Sequence, residues 1–257
     1  MPWQPDGSAG DLAKQLDGVD AVVNLAGEGI ADRRWTEARK TALWQSRMKS
    51  TRTLALAIRG TATPPRVFVS ASGIGYYGAH GDDPVTESMG PGSDFLSRLC
   101  VEWEQEARAI DARATRLAIV RSGLVLDRRE GALAKMLLPF KLGLGATLGS
   151  GDQYMPWIHI DDWTALVVWL IENERALGSF NASAPEPVTN REFTRTLARV
   201  LQRPALVTAP AFVLQLALGE LASVLLTGQR ALPACAEQLG FRFSFRTLEP
   251  ALRSLNL

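Results

Sequence analysis

The stretch PRVFVSASGIGYYG, Pro65 to Gly78, is a short run, apolar at nearly every position, that ends in serines and passes into a glycine-rich loop. A strand with one wet face alternates apolar and polar residues, whereas a strand covered on both faces does not. Upstream, DAVVNLAG at Asp20 to Gly27 has the same character, and the long polar segment after it, Trp35 to Ile58, carries Leu43, Met48, Leu54 and Ala57 at helical spacing. Downstream, Phe95, Leu96, Leu99, Trp103, Ala107 and Ile110 recur at helical steps, TRLAIVRSG at Thr115 to Gly123 gives a third buried strand, and Ala132 to Leu142 reads as the next helix. Buried strands joined by helices define an α/β chain with a parallel sheet covered on both faces.

The pattern changes at about Gly143. A turn-rich segment precedes WIHIDDWTALVVWLIENERALG, Trp157 to Gly178, which reads as a strand end, a helix capped by Asp161 or Asp162, and a glycine stop. Thr189 and Glu192 fit a capping box for a helix to Leu201. Helices over Ala211 to Leu226 and Leu232 to Leu239 follow, so the expected division is a sheet domain over 1–142, with a further strand from about 178–182, and a smaller, mostly helical region over 143–257.

Twenty-eight basic residues stand against 27 acidic ones, a formal charge of +1, which offers no field for nucleic acid or an anionic membrane. The two cysteines, Cys100 and Cys235, lie far apart without paired histidines, so neither a disulfide framework nor a metal site is expected. A reducing cytoplasm is the expected compartment, the expected partner is a small-molecule substrate, and a homo-oligomer is allowed. The longest greasy stretch, Pro210 to Gly228, is interrupted by Gln215 and Glu220 and does not read as a membrane span.

In a doubly wound sheet, ligands sit at the carboxyl ends of the strands. Asn24-Leu25-Ala26-Gly27 ends the first strand in small residues that let a flat ligand approach the backbone. Ser70-Ala71-Ser72 ends the second and leads to Tyr76 and Tyr77, placing hydroxyls and phenols beside the same crevice, where a serine could donate to a carbonyl and a tyrosine could move a proton. Arg121 ends the third, where it could meet a phosphate or carboxylate or simply form an ion pair. His159 reads as structural, because Asp161 and Asp162 beside it are explained as helix caps. Trp103 and Cys100 read as packing residues.

Taken in order, NLAGE at 24–28, SRMKSTRTL at 46–54, VSASGIGYYG at 69–78, DFLSRLCVEWE at 94–104, PWIHIDD at 156–162, FNASAPEPVTNREF at 180–193 and GQRALP at 228–233 resemble the atypical extended short-chain dehydrogenase/reductases, the NAD(P)-dependent epimerase-family proteins with a helical C-terminal extension. The resemblance implies a Rossmann-like fold and a cofactor, NAD(P), with NADP ahead of NAD. It places Asn24, Leu25, Ala26 and Gly27 under the adenosine and ribose, Arg47 facing the cofactor, Ser70 and Ala71 at the same crevice, and Arg121 and Leu124 at the nicotinamide end. Ser72 matches the serine that polarises substrate, and Tyr76 is the candidate for proton transfer.

Two departures qualify it. Where extended members carry Tyr-x-x-x-Lys, this chain has Phe95-Leu96-Ser97-Arg98-Leu99, and Arg98 cannot relay a proton because it does not deprotonate. The Gly-x-x-Gly-x-x-Gly turn that holds a pyrophosphate is not found either, and Met1-Pro2-Trp3 aligns with the end of the family's third strand. The sequence is therefore expected to be a shortened member without its first βαβ unit, in which Ala21 to Leu25 forms an exposed sheet edge. The implied function is NAD(P)-dependent oxidoreduction or epimerisation of a small sugar-like or carbonyl substrate; the alternatives are a non-catalytic NAD(P)-binding regulatory or interaction protein, or an inactive fragment.

Overall fold

The computed structural model describes residue 3 and residues 5–111 and 113–257. Met1 and Pro2, two of the three residues matched to a third strand, lie outside the described residues. The chain opens with a short helix α1 (Leu12–Leu16), strand β1 (Ala21–Asn24) and a long helix α2 (Glu37–Arg59), started by the Thr36 side chain accepting from the Arg39 N–H and ended at Gly60. Strand β2 (Val67–Gly73) runs into a 3₁₀ turn at Ile74–Tyr77, then β3 (Pro84–Val85), and α3 (Phe95–Ala107), capped by Asp94. Strands β4 (Arg116–Ser122) and β5 (Leu124–Leu126) lead to α4 (Gly131–Lys141), β6 (Ala146–Leu148), β7 (Tyr154–Met155), β8 (Trp157–His159), α5 (Ile160–Glu172) and β9 (Gly178–Ala182). The remainder is β10 (Val188–Thr189), α6 (Asn190–Leu201), β11 (Val207–Ala209), α7 (Ala211–Leu218), α8 (Ala222–Leu226), β12 (Arg230–Ala231), α9 (Ala234–Gln238) and α10 (Leu248–Ser254).

The main sheet has the order β1-β2-β4-β9, with every pair parallel, and β9 is the strand read at 178–182. The lack of alternation follows from the two layers that cover it. Val22, Phe68, Leu117 and Ile119 point to one face and pack on Leu54, Ala55 and Ile58 of α2 and Ala107 of α3. Val67, Val69, Ala118, Val120 and Phe180 point to the other and pack on Leu166, Val167 and Leu170 of α5 and on Phe241 and Phe243. A large apolar side chain fully buried this way contributes about 1.5–3 kcal/mol. Strand β1 pairs only with β2 among the described residues, and Val23 and Leu25 are exposed, which is the sheet edge expected from the sequence.

Three local expectations are corrected. The helix over Ala211 to Leu226 is broken at Gly219, whose φ of 63° is left-handed and separates α7 from α8 by a 3₁₀ turn. The helix read from Leu232 starts only at Ala234, because Leu232 continues the ladder of β12 on β3 by donating its N–H to Val85. The residue that caps α5 is His159, not Asp161 or Asp162: its Nδ1 accepts from the Asp161 N–H, while the Asp162 carboxylate accepts the Ser244 and Phe245 N–H groups. The capping box of Thr189 and Glu192 is present as read. Residues beyond Gly143 carry short strand pairs, β6 with β11 and β7 with β10, beside their helices, around a second core of Leu126, Leu133, Trp157, Phe193, Leu197 and Leu252.

Candidate functional site

Register brings the candidate residues together. Asn24 on β1 lies opposite Ser70 on β2, and one pleat further on Ser72 lies opposite Arg121 on β4, which lies opposite Asn181 on β9. With side chains alternating between faces, the face that is apolar at Val22, Phe68 and Ile119 becomes polar at its carboxyl end.

The centre of this row is Glu104 of α3, almost wholly buried, which sequence reading passed over. Its carboxylate accepts from Arg121 through Nε (2.8 Å) and Nη2 (2.9 Å), from the Ser72 hydroxyl (2.9 Å) and from Arg108 Nη2 (2.9 Å). Arg121 Nη1 donates to the Tyr77 hydroxyl (2.8 Å), which donates to Asn181 Oδ1 (2.7 Å), and Asn181 Nδ2 donates to the Leu232 carbonyl. One chain of bonds therefore runs from α3 through three strands into the C-terminal region. Burial pushes the Tyr77 phenol up to about 12, so Tyr77 is a neutral donor in this network. Burial works against the Arg121 cation, but Glu104 holds its pKa above the ordinary guanidinium value.

This arrangement assigns Ser72 and Arg121 their local roles. The Ser72 hydroxyl donates its proton to Glu104, where donation to a substrate carbonyl was expected. Arg121, expected at the nicotinamide end, has its guanidinium taken up by Glu104 and Tyr77, with Tyr76 stacked 3.5 Å away from ring centroid to Cζ. Tyr76 is half-buried, and its hydroxyl has no hydrogen bond among the described residues. Ser72, Arg121 and Tyr76 thus form one cluster, joined by Glu104.

At the end of β1 the loop is braced from behind. Asn24 Nδ2 donates to Thr51 Oγ1 (2.8 Å), and Asn24 Oδ1 accepts the Ala26 N–H. Arg47, buried against the Trp103 ring, donates to the carbonyls of Glu28 and Leu43. A Cβ on Gly27 would stand 3.3 Å from the Arg47 side chain, so glycine lets the backbone pass this close. Leu25 and Gly27 face solvent, and the Gly27 N–H has no partner among the described residues. Among the described residues, Ser70 Oγ and Arg47 Nε are buried without a partner. Ala71 is half-buried at the end of β2, whereas the Leu124 side chain packs against the second core, apart from the row.

The remaining candidates are structural. Phe95, which the sequence resemblance aligns with the catalytic tyrosine of extended members, packs against Trp35 and Trp44, with Lys40 Nζ 5.6 Å from its ring centre but ion-paired to Glu37 and Glu220. Cys100 is buried, which pushes its thiol up to about 11. Glu104 had one signal in the sequence: it lies on the buried stripe of α3 with Ser97, Cys100 and Ala107, where a carboxylate requires a partner.

A parallel sheet carrying polar strand ends beside an exposed, braced loop defines a Rossmann-like α/β protein. The chain belongs to the NAD dependent epimerase/dehydratase family, whose sequence profile matches residues 6–183, and a domain of unknown function, DUF1731, matches residues 209–255. It is 40% identical over 255 residues to the epimerase family protein Mb2239 of Mycobacterium bovis, covering 98% of this chain and 83% of that protein. The crystal structure of human epimerase family protein SDR39U1 (isoform 2) with NADPH superposes with a TM-score of 0.91 at 38% identity, covering 95% of this chain and 84% of that one. The nucleoside-diphosphate sugar epimerase from Corynebacterium glutamicum gives a TM-score of 0.79 at 32% identity, covering 99% of this chain and 49% of that one.

Proposed function

We propose that this chain binds NAD(P) at the carboxyl ends of β1 and β2 and uses it in oxidoreduction or epimerisation of a small sugar-like or carbonyl substrate held between the sheet and residues 143–257. The observation that carries the reading is the loop Leu25–Gly27, solvent-facing at Leu25 and Gly27, with a Gly27 N–H that has no partner among the described residues, braced by Asn24 and Arg47 beside the end of β2. The residues present fit one part of a dinucleotide: an exposed backbone donor for a polar edge and the Leu25 side chain for an apolar face. The human relative solved with NADPH and the neighbour described as a sugar epimerase support both halves of the reading. When bound, the nicotinamide supplies hydride transfer. Ser72 accepts from a substrate hydroxyl while Glu104 holds its proton, Arg121 fixes the Tyr76 ring, and the Tyr76 phenol is the group for proton transfer.

Calorimetric titration with NADPH and NADH tests cofactor binding. A heat of binding that weakens about tenfold in Gly27→Val, where the new side chain collides with Arg47, supports it, and no heat with either nucleotide overturns it. Turnover unchanged in Ser72→Ala and Tyr76→Phe removes those two residues from the chemistry. One observation favours a second reading, a non-catalytic NAD(P)-binding regulatory or interaction protein: the residue that the resemblance aligns with the catalytic tyrosine is Phe95, which packs against Trp35 and Trp44. Binding without turnover on sugar nucleotides or simple carbonyls would select that reading.

A further inference from the structure

The largest concentration of exposed apolar side chains lies on α4, the turn after it, β11 and α7. Leu206 is 93% exposed, Leu216 79% and Phe212 70%, with Leu138, Leu142 and Leu144 close behind. They share one region: Val207 pairs with Ala146, which sets Leu206 beside the turn after α4, Gly143 lies against Pro204, and α7 follows β11 with only Pro210 between them. Helix α7 buries none of its residues. An apolar surface of this kind on a folded chain marks a contact site.

The charges around it choose the occupant. Lys141 sits between Leu138 and Leu142, Arg203 donates to the Lys141 carbonyl (3.0 Å), and Arg34 lies against Gly219 at the end of α7. None of these three cations has a carboxylate within ion-pair distance among the described residues, whereas the neighbouring carboxylates are taken, Asp32 by Lys135 (2.7 Å) and Glu220 by Lys40 (2.9 Å). A twofold pairing of the face with a second copy would bring Lys141, Arg203 and Arg34 against a partner rim with no free anion.

We propose that the α4–α7 face docks in the plane of an anionic phospholipid surface, with Leu206, Phe212 and Leu216 at the acyl boundary and Lys141, Arg203 and Arg34 at the headgroups. No helix among the described residues is long and apolar enough to cross a membrane, so the contact is interfacial. The whole-chain charge of +1 hides this surface because it averages over both sides of the molecule.

The test is co-sedimentation of the full chain with phosphatidylcholine vesicles with and without phosphatidylglycerol, alongside light-scattering mass in solution. We expect binding only to the anionic vesicles, weakened by salt, about fivefold weaker for each of Lys141→Ala and Arg203→Ala, and lost in Phe212→Asp/Leu216→Asp. The double variant keeps its melting temperature, because neither side chain is buried. Absence of binding, equal binding to neutral vesicles, or variants that bind like the parent overturn the proposal. A solution dimer that Phe212→Asp/Leu216→Asp splits also overturns it, assigning the face to a second copy.

Discussion

Replacing Glu104 with Gln keeps the volume of the side chain and removes the charge around which the polar row is built. The carboxylate receives two bonds from buried Arg121, one from Ser72 and one from Arg108. Arg108 is half-exposed and its pair is worth at most about 1 kcal/mol. Arg121 is different: it is buried, and leaving a buried charge without its partner costs about 3–5 kcal/mol. The glutamine amide also turns N–H donors toward a guanidinium that can only donate. We expect Glu104→Gln to lose about 3–4 kcal/mol, a fifth or more of the ~5–15 kcal/mol that a domain has to lose. Urea unfolding followed by far-UV circular dichroism measures this, with Arg108→Ala as the control at no more than ~1 kcal/mol. In Glu104→Leu/Arg121→Leu no charge is stranded, so its loss should fall at least ~2 kcal/mol below the sum of the single losses. A loss under ~1 kcal/mol for Glu104→Gln, or additive single and double variants, would refute the reasoning.

Other outcomes follow from individual contacts. Tyr77→Phe strands an Arg121 donor and the Asn181 carbonyl and should cost about 1–3 kcal/mol; in a spectroscopic titration of the native protein, Tyr77 should stay protonated up to about pH 12, and ionisation of all three tyrosines near pH 10 would contradict its burial. Burial holds the His159 pKa below its ordinary value, so the fold favours the neutral ring; this stability is complete above the ordinary histidine value and is lost as pH falls toward the lowered one. Melting temperatures from about pH 8 down to about pH 5 should therefore fall, and His159→Asn, which keeps a capping acceptor, should flatten the slope; equal slopes would exclude His159 as the source. At the open edge, Val23→Lys should slow aggregation of the concentrated protein without loss of melting temperature, since Val23 is exposed; an unchanged aggregation rate would mean that β1 is not the sticky surface.

The sheet, its helices and the edge at β1 were legible because covering a strand on both faces imposes a composition that short strings display: VFVS and LAIV have no wet face to encode. The capping box at Thr189 was legible for the same local reason, since its two bonds span only three residues. His159 as the cap of α5 was not, because the choice among His159, Asp161 and Asp162 was made by Ser244 and Phe245, whose N–H groups claim the Asp162 carboxylate from across the fold. The break at Gly219 lay in plain sight as a glycine, but only the left-handed φ there separates a helix end from a tolerated mid-helix glycine.

By itself the sequence determined the class of the fold, the strand ends that carry polar residues and the family to which they belong. Only the tertiary structure decided what those residues do. Ser72, Tyr77, Glu104, Arg121 and Asn181 are scattered from the second strand to β9, and their partnership depends on the register of three parallel strands and on the rotation of α3 above them. A hydroxyl or guanidinium looks the same in a sequence whether it awaits a ligand or is spent on a buried carboxylate, because a hydrogen bond is settled by distances of about 3 Å between atoms that the chain brings together only on folding.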